Sequence, residues 1–148
     1  HPDTSHSRNN LAYFYQITGN WQRALSLHEE NLKVQQELFG NDNFFTLTTL
    51  RTIGLIYVNN SAFDKAEVVL KPCFEGYMKI HLADARETLE AGVMLVESLL
   101  INGKEEEAKH YAMQMEAAYL DGALKKKNIY MEQISIDYFA KLFGTPSV

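Results

Sequence analysis

Apolar residues recur along this chain in two nested rhythms. The short one is helical: Leu11 and Tyr15 lie four apart, as do Ile53 and Tyr57, and Leu95 and Leu99. Each pair therefore falls on one face of a helix. The long rhythm carries the pattern from 11 to 53 to 95 with no insertion or deletion. Leu11-Ala12-Tyr13-Phe14-Tyr15 becomes Ile53-Gly54-Leu55-Ile56-Tyr57, and then Leu95-Val96-Glu97-Ser98-Leu99. Gly19-Asn20-Trp21, Ser61-Ala62-Phe63 and Gly103-Lys104-Glu105 follow in the same phase, and Ala24, Ala66 and Ala108 are identical. A fixed period of 42 residues marks a repeat solenoid, in which each unit buries its apolar face only against its neighbours.

The pattern predicts two helices in each unit. The first begins after an entry turn at His1-Pro2-Asp3-Thr4, with Thr4 or Ser5 as its cap, and runs to about Ile17. Trp21, Ala24, Leu25, Leu27, Leu32, Val34 and Leu38 define the second, which ends near Phe39 with Gly40 as a left-handed cap. Unit two should hold helices from Phe44 to about Asn60 and from Phe63 to Ile80. Pro72 should kink the latter near Val68, and Gly76 should weaken it. Unit three starts around Asp84, with a helix through Leu89, Val93, Leu95, Val96, Leu99 and Leu100. A second helix opens on Glu105-Glu106-Glu107, where negative charge suits the helix dipole, and should be ended or interrupted at Asp121-Gly122. Phe139-Ala140-Lys141-Leu142-Phe143 repeats the opening motif two residues out of phase, which predicts a terminal helix over about 128–143 covering the last apolar face.

The three in-phase alanines are expected at close helix–helix contacts, where a larger residue would overpack. Helix propensity alone would not hold them in phase with the large residues.

Small, apolar and aromatic residues, then a turn glycine, an aromatic and an alanine: this order resembles the tetratricopeptide repeat. The usual unit has 34 residues, and this one is eight longer. His1-Pro2-Asp3-Thr4, Asn9-Asn10-Leu11-Ala12 and Leu38-Phe39-Gly40 resemble the long variant of kinesin light chains. The resemblance covers about residues 1–120 and is strongest in unit one. His28 and Asn31 depart from it, standing where the family carries an aromatic and an alanine. It implies an all-α, right-handed superhelical solenoid of about seven helices. The repeats would span about 1–42, 43–84 and 85–126, in a single array over residues 1–148.

Composition narrows the function. A net charge of -5 and a hydrophobic share of 46% fit an ordinary globular protein and give no basic stripe for nucleic acid. No apolar run approaches the ~20 residues of a membrane span. The lone cysteine, Cys73, cannot form an intramolecular disulfide. It reads as a buried structural thiol and favours a reducing, cytoplasmic setting. The chain opens at His1, inside a repeat signature, and reads as a piece of a longer protein. Zinc, phosphate-loop and serine-hydrolase motifs are absent, and the histidines at 1, 6, 28, 81 and 110 form no i, i+4 pair. No enzyme, cofactor or metal is expected. His28 reads as a packed core histidine and the carboxylates as solvated faces.

Binding is what remains. In tetratricopeptide arrays the first helices line a concave groove where peptides bind. The resemblance places His6, Asn9, Asn10, Tyr13 and Ile17 there in unit one. Thr48, Arg51, Thr52, Leu55 and Asn59 correspond in unit two, and Glu90, Val93, Met94, Glu97 and Ile101 in unit three. Asn10 matches an asparagine that bonds the ligand backbone in peptide-binding members; its amide could equally be solvated locally. Arg51 is the one cation placed in the groove by the first three units. Glu90 and Glu97 make the third unit's part acidic, so the expected partner is a protein or peptide, neutral or basic where it meets unit three. The acidic cargo peptides for which kinesin light chains are known are therefore not carried over. A noncatalytic interaction module, an empty spacer and a regulatory region of a larger signalling protein or enzyme are the three expectations.

Overall fold

A computed structural model describes residues 2–80 and 86–126. Among them are six helices and no strand: α1 (Pro2–Ile17), α2 (Trp21–Phe39), α3 (Phe44–Asn59), α4 (Phe63–Lys79), α5 (Arg86–Ile101) and α6 (Glu105–Lys126). They form antiparallel pairs, α1 with α2, α3 with α4 and α5 with α6, and each second helix packs on the first helix of the next unit. The result is an all-α solenoid. The expected terminal helix over 128–143 lies outside the described residues.

The long period reappears in the backbone. Asn20, Ala62 and Lys104 each donate an N–H to the carbonyl five residues back, on Tyr15, Tyr57 and Leu99, at 2.8 Å every time. The preceding Gly19, Ser61 and Gly103 each bond the carbonyl three residues back. Together these bonds make a Schellman turn, which requires a positive φ at the middle residue. Gly19 and Gly103 take φ of 83° and 79°, and Ser61 takes 58° without glycine's freedom.

Small residues set the distance between paired helices. Ala12, Ala24, Ala66 and Ala108 are fully buried. In unit two the fit is reciprocal: a Cβ on Gly54 of α3 would run into Leu70 of α4, and one on Gly76 of α4 into Leu47 of α3. Gly76 is thus a packing residue rather than a weak point. Leu47, Leu70, Phe74 and Tyr77 continue into Leu95, Val96, Leu99 and Tyr111, giving one core across α3–α6.

Three local expectations need correction. α1 starts at Pro2 rather than after a Thr4 or Ser5 cap, since proline loses no helical hydrogen bond at the first position. α4, by contrast, stays a single helix through Pro72, as a kinked helix would and two separate helices would not; Val68 and Pro72 both lie on its exposed face, where water can take up the freed carbonyl. Gly40 has a positive φ of 84° but an extended ψ of 176°, so it is not a left-handed cap. α6 passes through Asp121-Gly122 to Lys126.

Two substitutions test this packing. Ala66→Leu should destabilise by ~1–3 kcal/mol in chemical denaturation, while Lys65→Leu on the exposed side should change stability by less than ~0.5 kcal/mol; equal midpoints would place Ala66 outside a helix contact. Ser61→Gly should stabilise by ~0.5–1 kcal/mol, because it relieves a left-handed serine where both sister units carry glycine. A loss of stability would show that Ser61 is not strained.

Candidate functional site

The first helices of units two and three lie side by side. Arg51, Thr52 and Leu55 project from one face of α3, and Leu89, Glu90, Val93 and Met94 from one face of α5; between them is an open cleft of about 470 Å³. Its lining is mostly apolar, with Leu55, Leu89, Val93 and Met94 below Arg51 and Glu90. Arg51 reaches across to the Glu90 carboxylate, which also accepts from Arg86 Nε at 3.0 Å. The pair is partly exposed, so it orders the cleft more than it stabilises the fold.

The expected groove residues divide into those the cleft unites and those it leaves aside. Arg51, Thr52, Leu55, Glu90, Val93 and Met94 line it together. Thr52 donates its hydroxyl hydrogen to the Thr48 carbonyl at 3.0 Å. Thr48 lies 3.1 Å, hydroxyl to hydroxyl, from the buried Tyr77. Asn59 ends α3 and Glu97 sits one turn along α5; both are exposed and neither lines the cleft. Asn10 and Tyr13 are exposed on α1, at the repeat positions of Thr52 and Leu55. Ile17 and Ile101 are likewise exposed. His6 and Asn9 belong to α1, but their side chains fall outside the described residues.

Sequence reasoning missed Leu89 and Arg86. Arg86 could have been found from its i, i+4 spacing to Glu90. Leu89 stands at the repeat position of the buried Leu47 and so reads as core, yet it reaches the cleft edge.

The remaining chemical groups are packed rather than poised. Cys73 donates its S–H to the Leu47 carbonyl at 3.3 Å, and burial pushes its thiol up to about 12, outweighing the nearby Arg51 charge. That is the reverse of a nucleophile's environment. His28 Nε2 lies 3.3 Å from Gln16 Oε1, within hydrogen-bond distance. Asn31 accepts from Arg8 at 2.9 Å. Both departures from the family pattern are therefore polar groups with partners across the α1–α2 contact. Glu67 is an exception to the usually solvated carboxylates: it is buried and accepts from Lys104 at 2.5 Å, joining units two and three. Among the described residues, no group of three His, Cys, Asp or Glu could hold a metal ion, and no helix is long and apolar enough to cross a membrane.

Comparisons with known proteins agree with this architecture. The family model of the tetratricopeptide repeat matches residues 3–79. No curated protein matches the chain. Among solved structures, a candidate kinesin light chain from Podosopora anserina with nearly identical TPR-like repeats is similar in a single-substitution variant. It has a TM-score of 0.65 and 18% identity, covering 97% of this chain and 78% of that one. A second structure of that protein gives 0.64 and 18%, covering 95% and 77%. BtubC (BKLC) from P. vanneervenii gives 0.67 and 13%, covering 100% and 68%. At these identities the likeness is one of fold.

The buried histidine yields a pH prediction. Desolvation holds His28 below its ordinary 6.5, so the unfolded chain takes up the proton first as pH falls. Stability from the neutral ring is complete above 6.5 and declines as pH drops from there towards the folded value. His28→Leu, which copies Leu70 at the same repeat position, should flatten the fall in Tm between about pH 7.5 and 5.5. An unchanged slope would assign that fall to other groups.

Proposed function

The chain belongs to the tetratricopeptide repeat family, and on that premise we propose that it is a noncatalytic interaction module holding an extended peptide or partner helix between α3 and α5. Tetratricopeptide repeats mediate protein–protein interaction; the finer reading rests on one observation, the apolar cleft bounded by Leu55, Leu89, Val93 and Met94. Such a cleft suits an apolar side chain, whose burial yields ~1.5–3 kcal/mol for a Leu or Phe. On this reading residues 1–148 act as a single array, with Asn10 and Tyr13 extending the binding face beyond the cleft.

Charge supports a neutral or basic ligand at unit three. Arg51 is paired with Glu90, which it shares with Arg86, so the acidic character at unit three rests on Glu97. Glu97 is exposed and has no ion pair among the described residues. An acidic segment would meet that charge unscreened by a counterion, whereas a lysine or arginine would pair with it.

Peptide pools with apolar anchors flanked by basic, neutral or acidic residues test both parts. Wild type should retain the neutral and basic pools. Val93→Asp should weaken them roughly tenfold or more by placing a charge in the apolar cleft. Glu97→Lys should move preference towards acidic peptides; Glu90 is left in place, because reversing it would gather three cations. Binding of none of the pools would favour a spacer role, and an acidic preference unaffected by Glu97→Lys would overturn the charge assignment.

A further inference from the structure

The face of α1 that carries Leu11 and Phe14 is uncovered. Leu11 is 45% exposed and Phe14 56%, while Ile53 and Ile56, at the same positions of α3, are 1% and 2% exposed. Leu95 and Ser98 on α5 are fully buried. The second helix of the preceding unit makes the difference. α2 lies on this face of α3, where Thr49 donates to Gln35 Oε1 at 2.6 Å. α4 lies correspondingly on α5. Beside the bare face, between α1 and α2, is a hollow of about 340 Å³ lined by Leu11, Tyr15, Gln22, Arg23, Ser26 and Leu27.

The rest of the molecule shows what fits such a hollow. In unit three, the residues at the positions of Arg23 and Leu27 are Glu107 and Tyr111. There α4 pairs Lys71 with Glu107 and lays Phe74 against the Tyr111 ring, 5.8 Å between centroids. At this junction the covering helix supplies a charge opposite in sign to the residue below it and, three positions later, a large apolar side chain. The corresponding residues of α2 are Glu29 and Leu32, and the repeat position of Glu107 in unit two is the oppositely charged Lys65, with no ion pair to Glu29 among the described residues. On α1–α2 the lower residue is Arg23, whose guanidinium lies 5.6 Å from the Tyr15 ring centre.

We propose that this face docks the second helix of a further tetratricopeptide unit, one bearing an acidic residue opposite Arg23 and a leucine or phenylalanine three residues later. The apolar residue fills the hollow and the helix covers Leu11 and Phe14, continuing the interface already repeated within the chain. A second copy stacked end to end fits less well. Its α6 would present Met113, the next residue in the 29, 71 series, to Arg23, and a thioether cannot neutralise a guanidinium.

The test adds a unit in phase. A copy of residues 1–42 is placed directly before His1, bringing its own Glu29 and Leu32 over Arg23 and the hollow. The extended chain should melt roughly 5 °C or more above the parent and bind less of a hydrophobic dye. The same extension with Glu29→Arg and Leu32→Asp in the added copy only should lose most of that gain. No rise with the intact copy, or an equal rise with the altered one, would overturn the proposal. Sedimentation of the parent chain supplies a second arm. Self-association abolished by Phe14→Glu, a change at an exposed position, would make a second copy the occupant and overturn the assignment; a monomer agrees with it.

Discussion

How closely two helices can approach determines nearly everything else here. Where Ala24, Ala66 and Ala108 cross the first helix of their own unit, no side chain keeps the backbones apart. The larger residues around them can then interdigitate, as Leu70 does over Gly54 and Leu47 over Gly76. Protein interiors are packed to crystal-like density, so a methylene in such a place must displace a whole helix. Because each unit touches only its neighbours, a displacement in one pair would change the angle at which the next one stacks.

That close spacing brings α3 and α5 near enough to form a cleft, and their polar residues finish it. Arg51 and Glu90 come from helices separated in the chain by the whole of α4, yet they meet as a pair. The apolar residues beside them line the cleft and stay accessible among the described residues. The same positions in unit one are Asn10 and Tyr13, so this face of the first helices changes from polar and aromatic to apolar along the array.

Much of this was legible in the sequence, and the reason is translational. A period held without slippage fixes which residues share a position, so the fate of Ala66 predicts that of Ala24 and Ala108. The resemblance to the tetratricopeptide repeat, rather than the period, placed Arg51, Thr52, Leu55, Glu90, Val93 and Met94 on neighbouring first helices. What stayed hidden depends on partners that no period encodes. Glu67 occupies a position held by Leu25 in unit one, and only Lys104 from the next unit explains its burial. Gly76 looks like a helix weakness until Leu47 is seen against it.

The two junctions between units are not built alike. Units two and three are joined by Arg51 to Glu90 on the inner side and by Lys104 to Glu67, Lys71 to Glu107 and Tyr111 to Glu75 elsewhere. Between units one and two the described contacts include the Thr49–Gln35 and Thr46–Gly40 hydrogen bonds, the Phe39 and Phe45 rings and one exposed pair, Lys79 with Asp42. Considered as a spring with these ties, the array should yield to an axial pull at the first junction before the second. The cleft between α3 and α5, strapped by its own ion pair, would then keep its width, and a ligand held there would feel little of the strain.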